Sequence, residues 1–139
     1  MRKPTLRSAK KKAWDTFSRY IRLKATQDTG YARCVTCPPN SPLLPLENLQ
    51  AGHFIPGRRA AILFDERGVH VQCYGCNVCK SGNQIEYHRF MERRYGLQRA
   101  LEIREELLKA QQKNPQYRVA DYQAITEIYK QKIEALINK

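Results

Sequence analysis

Two pairs of cysteines carry the strongest chemical signal in the sequence. Cys34 and Cys37 are separated by two residues, and Cys73 and Cys76 repeat that spacing. Two residues between cysteines let both thiolates of a tight turn face one ion, and two such turns complete a tetrahedral zinc shell. Cys79 has the same spacing from Cys76, but it is expected one turn into a following helix. The first four cysteines are therefore predicted to hold a structural zinc ion, with buried free thiols or a redox dithiol as the alternative.

A histidine and an asparagine accompany the cysteine pairs. Gly52 and His53 lie between the two pairs, and Asn77 follows the second pair directly. A short strand that ends in histidine, a return strand and a Cys-x2-Cys-Asn turn that opens a helix form the order of elements in ββα-metal nucleases. The simpler alternatives are a strand-end histidine without chemistry and an asparagine that only caps a helix.

The net charge of +12 is concentrated near the start of the chain. Residues 1–24 hold nine of the 25 basic residues and one of the 13 acidic residues. A field of this sign attracts polyanions such as DNA or RNA. The candidate phosphate contacts are Lys10, Lys11, Lys12, Arg22, Arg58 and Arg59.

Localisation follows from what the sequence does not contain. We find no apolar run long enough to span a bilayer and no signal peptide. An odd number of cysteines, five in all, suits an intracellular metal site better than a disulfide framework. The chain is therefore expected to be soluble and cytoplasmic, with no membrane partner.

Hydrophobic spacing predicts the elements that must position these residues. A helix with an aromatic inner face and a basic outer face is predicted over residues 8–25, and extended segments over 48–54 and 69–73. Residues 26–47 are rich in proline and are predicted to be loop. The segment between the two strands is predicted to be a loop with some strand of its own. Helical stripes follow over 85–95, 97–111 and 122–136, with breaks at Gly96 and at Asn114-Pro115.

The predicted fold class is α+β, in a single domain that covers residues 1–139. A basic helix at 8–25 precedes a zinc-stapled ββα-metal core at 30–96, and residues 97–139 form a helical C-terminal extension. The C-terminal helices either complete the core or build a homodimer.

The combination of motifs resembles the phage NinG (Rap) recombination proteins. The resemblance covers roughly residues 10–96 and includes the segment YIR at 20–22. Its other parts are the first Cys-x2-Cys, AGHF at 51–54, LFDE at 63–66, VHVQCYGCN at 69–77 and SGN at 81–83. It implies an HNH-like fold, a divalent metal, and an endonuclease that acts on branched recombination intermediates, including Holliday junctions.

Phosphodiester hydrolysis gives each candidate residue a role. A base must activate water, and imidazole titrates near neutrality, so His53 is assigned as the general base. Asn77 would offer an amide oxygen to Mg²⁺ or Mn²⁺, which prefer few protein ligands. No acidic metal ligand is obvious. The candidates for a further ligand are Asp65, Glu66, His70 and Glu86, with Asp65 and Glu86 preferred.

Two glycines depart from the general HNH pattern. Gly52 stands where many such enzymes place a second metal ligand, and Gly68 stands where many place an asparagine that orients the base. These departures keep an alternative open, namely a zinc-containing accessory protein that binds nucleic acid without cutting it. A protein-interaction adaptor built on the C-terminal helices is a third hypothesis, which explains the charge poorly.

Overall fold

Five α-helices and four short strands make up the fold in the computed structural model, which describes residues 2–138. The helices are α1 (Leu6–Thr26), α2 (Ala60–Leu63), α3 (Gln84–Tyr95), α4 (Leu97–Lys113) and α5 (Val119–Ile137). The strands are β1 (Tyr31–Ala32), β2 (Leu44–Pro45), β3 (Gln50–His53) and β4 (Val69–Gln72). The protein is therefore a helix-dominated α+β protein with two small antiparallel sheets.

The basic helix α1 forms where the hydrophobic spacing predicted it. Thr5 caps its first turn in a reciprocal pair of hydrogen bonds with Ser8. Ala13, Phe17 and Ile21 are buried on its inner face. Phe17 and Ile21 pack on the strand residues of β3 and β4, while Ala13 packs against α5. The helix thus lies across the β3–β4 sheet with α5 beside it.

Strands β3 and β4 pair antiparallel, with His53 opposite Val69 and Gln50 opposite Gln72. Both lie inside the segments predicted to be extended. The expectation of strand between them is wrong, because the described chain forms the short helix α2 there instead. Ile62 and Leu63 of α2 are buried, so packing against the core decides the conformation of this segment.

The proline-rich segment contains a hairpin that the sequence did not predict. Tyr31 pairs with Pro45 and Ala32 with Leu44 in a two-stranded sheet. A two-stranded sheet has only edges, and an edge strand tolerates proline because no inner ladder bond is lost. Proline density therefore excluded a central strand in residues 26–47 and left an edge strand possible.

The segment after the second cysteine pair does not open an α-helix at Asn77. Residues Gly75–Cys79 form a single π-helical turn, and α3 begins only at Gln84. Ser81, Gly82 and Asn83 separate the two, with φ of 49°, 91° and 50°. Three successive left-handed residues stop a right-handed helix. The predicted strand–strand–helix order is present, with this interruption between its second and third members.

The C-terminal helices pack on both ends of the molecule. Ile103 and Leu107 of α4 join a buried cluster with Tyr87 and Met91 of α3. Tyr122 of α5 packs on α1, and Tyr129 packs edge-on against the ring of Phe17. Within residues 2–138, no helix combines the length and hydrophobicity needed to cross a membrane. The single-domain and dimer predictions stay predictions.

Candidate metal centre and adjacent groove

The four predicted cysteines converge on one point. The Sγ atoms of Cys34, Cys37, Cys73 and Cys76 all lie within 4.8 Å of one another. Cys37 Sγ is 3.7 Å from Cys73 Sγ and 3.6 Å from Cys76 Sγ. A tetrahedral zinc with Zn–S bonds of about 2.3 Å sets its sulfurs about 3.8 Å apart. The cluster can therefore hold a structural zinc ion.

Buried polar side chains hold the two cysteine turns together. Gln72 is fully buried, and its Nε2 donates to Thr36 Oγ1 at 3.0 Å and to Gly82 O at 2.9 Å. Asn83 Nδ2 donates to Thr36 O at 3.3 Å and to Cys76 Sγ at 3.6 Å. Asn83 is therefore part of the support of the cluster.

Cys76 and Cys79 differ in their surroundings. Burial raises the pKa of the Cys76 thiol, but hydrogen bonds from Thr36, Asn83 and the neighbouring cysteines lower it to about 7. A thiolate is the form that binds zinc. Cys79 is exposed at the end of the π-helical turn, outside the cluster. The structure therefore excludes it from this cluster, although it does not lie one turn into an α-helix as predicted.

His53 is held at the end of β3 by two contacts. Its Nε2 lies 3.1 Å from the carbonyl oxygen of Leu63, and its ring stacks on Trp14 with centroids 5.1 Å apart. A carbonyl only accepts, so Nε2 carries the hydrogen and the lone pair of the neutral ring is on Nδ1. Burial lowers the pKa of His53, the bond to Leu63 opposes this, and the charge of Arg58 lowers it further. His53 is therefore neutral at pH 7.

Gly52 is a glycine because another side chain occupies the space beside it. A Cβ built on Gly52 would lie 1.8 Å from Gln72 Oε1. That oxygen is buried and has no hydrogen-bond partner among the described residues. A metal-ligating side chain at position 52 is thus incompatible with the glutamine that ties the cysteine turns together. Gly68 is similarly crowded, since its Cβ would lie 2.8 Å from Leu107 Cδ1 of α4.

A groove of about 330 Å³ runs between α1 and β3 on the surface that the cysteine turns support. We call it the α1–β3 groove, and the residues that matter for its chemistry are Trp14, Arg22, Glu47, Gln50, Arg58 and Asn77. The Arg58 guanidinium lies 4.6 Å from the centre of the Trp14 ring, which also stacks on His53. The groove therefore gathers three predicted site residues, and Trp14 connects them to the fourth, His53.

Asn77 has a fixed orientation in this groove. Its Nδ2 donates to Gln50 Oε1 at 2.8 Å. This bond occupies the amide nitrogen and leaves Oδ1 as the atom available to a cation. Asn77 sits in the π-helical turn, so the turn that closes the cysteine cluster also positions this side chain.

The two preferred acidic candidates do not line the groove. Asp65 accepts hydrogen bonds from the backbone and side chain of Arg67, and these oppose burial and lower the pKa of its carboxyl group. Glu86 pairs with Arg89 at 2.9 Å on α3. Glu47 does line the groove. Sequence reasoning missed Glu47 because it lies in a short 3₁₀ turn outside every motif.

The predicted basic residues lie on several faces. Lys10 has the same four-residue spacing along α1 as Trp14, Ser18 and Arg22, so it extends the groove face. Lys11 pairs with Asp15 at 2.7 Å, and Lys12 lines the cleft between α1 and α5. Arg59 is exposed and precedes α2. Arg22 and Arg58 are thus the two of this set inside the groove.

His70 belongs to a hydrogen-bonded chain under the sheet. Tyr87 Oη donates to Gly52 O at 2.7 Å, so it accepts from His70 Nδ1 at 3.1 Å. His70 Nε2 then accepts from Tyr95 Oη at 3.0 Å. Burial lowers the pKa of His70 to about 4, with Arg94 and Lys24 adding to the effect. The ring is a neutral structural link between β4 and α3.

The fold and the cysteine cluster define a basic, helix-dominated α+β protein that can hold a structural zinc ion. The sequence profile of the family described as "Bacteriophage Lambda NinG protein" matches residues 2–139. The chain therefore belongs to the NinG family of lambdoid phages.

Curated relatives agree with this assignment. The protein called "Protein ninG" of Salmonella phage P22 is 34% identical over 87 residues, which are 62% of this chain and 40% of the relative. The protein of the same name from Escherichia phage 933W is 35% identical over 89 residues, 63% of this chain and 42% of the relative. The match thus spans about two fifths of the length of these relatives. No solved structure matches the chain.

Proposed function

We propose that this protein is a metal-dependent, structure-selective DNA endonuclease of the HNH-like kind that acts on branched recombination intermediates, including Holliday junctions. It would act on phage DNA in the bacterial cytoplasm. The observation that carries the proposal is a neutral histidine of fixed tautomer next to a groove that holds an amide oxygen, a carboxylate and two guanidinium groups.

His53 is the proposed general base. The Nε2 hydrogen is engaged by Leu63 O, so Nδ1 is free to accept a proton from water. Burial lowers the pKa of His53, which favours the neutral ring that a general base needs. The stacked ring of Trp14 restricts its rotation. Each contact prepares the imidazole for proton transfer before DNA arrives, which is the condition for an effective base.

Asn77 and Glu47 are the proposed ligands of the catalytic metal. The Asn77 amide oxygen and the Glu47 carboxylate are hard oxygen donors that suit Mg²⁺ or Mn²⁺, which leave further positions to water and phosphate. When bound, such an ion stabilises the charge that develops on the phosphate and the leaving oxygen. Glu47 takes the place that the sequence had given to Asp65 or Glu86.

Phosphate binding is assigned to Arg22 and Arg58, with Lys10 on the same face of α1. One guanidinium group can donate two parallel hydrogen bonds to two oxygens of a phosphate. Such contacts would fix the position of the DNA strand relative to His53. Such contacts carry no base sequence information. A basic groove of this kind fits recognition of DNA shape, and a branch point is such a shape.

A second function has a specific observation in its favour. Gln72 occupies the space that a metal-ligating side chain at position 52 would need, and Asp65 and Glu86 are held by arginines. A non-catalytic, zinc-containing DNA-binding recombination accessory protein needs no metal ligands at these positions. It would use the same basic face of the groove and would bind without cutting.

Cleavage assays separate the two functions. Purified protein is incubated with labelled four-way-junction and linear duplex DNA in Mg²⁺, in Mn²⁺ and in EDTA. We expect metal-dependent cutting of the junction that His53→Ala reduces by about 10²–10⁴-fold while binding persists. His88→Ala, a histidine of α3 outside the groove, is the matched control and should cut normally.

Two further variants test the metal ligands. Asn77→Asp keeps an oxygen donor and should retain activity that Asn77→Ala loses. Glu47→Gln should raise the Mg²⁺ concentration needed for half-maximal cutting. Junction binding without cutting in any metal would favour the accessory function and contradict the endonuclease.

A further inference from the structure

A second cavity, of about 390 Å³, opens between the C-terminal turns of α1 and strand β4. We call it the α1–β4 pocket. Ile21, Val69 and Val71 form an apolar floor, and each of them is buried in the core beneath. Its volume falls within the range of about 300–1,000 Å³ in which small-molecule ligands are bound.

One wall of the α1–β4 pocket is a set of aromatic rings held in place. His70 meets Phe90 edge-on with centroids 4.8 Å apart, and it meets Tyr95 with centroids 6.0 Å apart. Tyr95 donates its hydroxyl hydrogen to His70, whose other nitrogen is bonded to Tyr87. The rings are therefore fixed before any ligand enters, which lowers the entropy cost of stacking on them.

The rim of the pocket is basic. Lys24, Arg33 and Arg94 line it, with Glu66 as the one acidic residue. Glu66 accepts hydrogen bonds from Tyr129 at 2.9 Å and from Lys132 at 2.8 Å, and Lys24 Nζ lies 3.7 Å from its Oε1. The charges of Glu66 and Lys24 are therefore compensated, and Arg33 and Arg94 are the cations of the rim that remain. Arg33 donates its Nε hydrogen to Ser41 O at 2.9 Å, which anchors its guanidinium. The rim therefore presents uncompensated positive charge above an apolar, aromatic interior.

We propose that the α1–β4 pocket binds one unpaired nucleotide of a DNA strand, with the base against Phe90 and Tyr95 and the phosphate between Arg33 and Arg94. The proposal rests on the proposed function for its choice of DNA as the polyanion, and it adds single-stranded DNA at the branch to the substrate. A bare phosphate would leave the apolar floor uncovered. A purely apolar ligand would leave the guanidinium groups of Arg33 and Arg94 without an anion, whereas a nucleotide satisfies both parts.

The position of the pocket agrees with this role. Ser18 and Arg22 of α1 line the groove, and Ile21, Lys24 and Ala25, farther toward the C-terminal end of the same helix, line the pocket. A helix rises about 1.5 Å per residue, so the two stretches of α1 lie roughly 8 Å apart along its axis, a distance that a few nucleotides of single strand can span. DNA with a short single-stranded gap at the branch point can therefore reach both sites, while fully paired DNA reaches only the groove.

The first test uses deoxyadenosine monophosphate as the probe and the zinc-loaded chain of residues 1–139. Nuclear magnetic resonance should show shifts at the amides of Val69, His70 and Val71, and inorganic phosphate at the same concentration should not reproduce them. Arg94→Ala should weaken binding by about 5-fold or more, and the neighbouring exposed Arg93→Ala should not. Shifts confined to the α1–β3 groove, or equal binding of phosphate alone, would overturn the proposal.

The second test fills the pocket. Ala25 is exposed and lines the opening, so Ala25→Trp should block it without disturbing the core. Wild-type protein should bind a junction with a three-nucleotide gap at least about 5-fold more tightly than a fully paired junction, since one base–aromatic stack supplies that much. Ala25→Trp should remove the preference and leave binding of the paired junction unchanged.

The outcomes separate the two proposals. Junction cleavage without any preference for the gap, and without nucleotide binding, contradicts the pocket proposal alone. Nucleotide binding in the pocket without junction binding or cleavage contradicts the proposed function and leaves the pocket as a nucleotide site.

Discussion

Cys76 and Asn77 are neighbours in sequence, yet they belong to two regions of different character. Cys76 is buried in a cluster whose donors are all sulfur and come from two local turns. Asn77 lines a groove whose donors are oxygen and nitrogen and come from α1, β3 and the turns around them. One region is closed and complete, and the other is open on one side.

The difference separates two kinds of metal chemistry within one hairpin. Four thiolates select zinc and fill its shell, so nothing can bind there and react. Amide and carboxylate oxygens suit Mg²⁺ or Mn²⁺ and leave coordination positions free. Under the proposed function, the cluster is the scaffold that positions Asn77, and the groove is the site of the chemistry.

Loss of the cysteine cluster should have the largest effect. Binding of structural zinc contributes about 10–16 kcal/mol in small zinc domains, so Cys37→Ser should prevent folding of the β3–β4 region. Circular dichroism and the zinc content of the purified protein measure the effect. Cys79→Ser is the matched control and should keep both unchanged, because Cys79 is exposed and outside the cluster. Equal loss of zinc in both variants would contradict the ligand set.

Crowding at Gly52 should give the next largest effect, and it tests how the two regions meet. Gly52→Ala places a methyl group against Gln72, which is buried and hydrogen-bonded to both cysteine turns. Overpacking costs about 1–3 kcal/mol, and the upper end is expected here. Urea denaturation measures the loss. The double variant Gly52→Ala, Gln72→Ala should lose less than the sum of the two single changes, and strict additivity would show that the residues do not interact.

Protonation of His70 should give a smaller, pH-dependent loss in the stability of the fold. Its pKa is about 4 in the folded protein against an ordinary value of 6.5, so the unfolded chain binds the proton more readily. The contribution of neutral His70 to the free energy of unfolding is therefore full above pH 6.5 and is lost as the pH falls toward 4. The loss amounts to about 2 kcal/mol between pH 7 and pH 5.

The urea midpoint at both pH values, with zinc content measured in parallel, tests this effect. His70→Phe should show a weaker pH dependence than the wild type while zinc is retained. An unchanged pH dependence in that variant would assign the acid sensitivity to other groups.

The cysteine cluster could be predicted from sequence because its geometry is local. Two residues between cysteines fix a turn, and only the pairing of two such turns is long-range. Helix α1 and strands β3 and β4 could also be predicted from the sequence, because the spacing of buried residues repeats within each segment.

The groove could be predicted only in part. His53 and Asn77 stood out through their positions beside the cysteines, whereas Glu47 is brought there by tertiary packing alone. The exclusion of a side chain at Gly52 depends on Gln72 from the partner strand, and α2 depends on burial of Ile62 and Leu63. Contacts between distant segments decide these features, and single-sequence periodicity does not record them.

The most direct test of the division between scaffold and groove is a junction-cleavage assay in which zinc content and added Mg²⁺ are varied independently. The protein should contain one tightly held zinc ion at every Mg²⁺ concentration, and its cutting should require added Mg²⁺ or Mn²⁺. Cutting that follows the zinc content and proceeds without any added metal would contradict the account, because it would place the chemistry at the four cysteines.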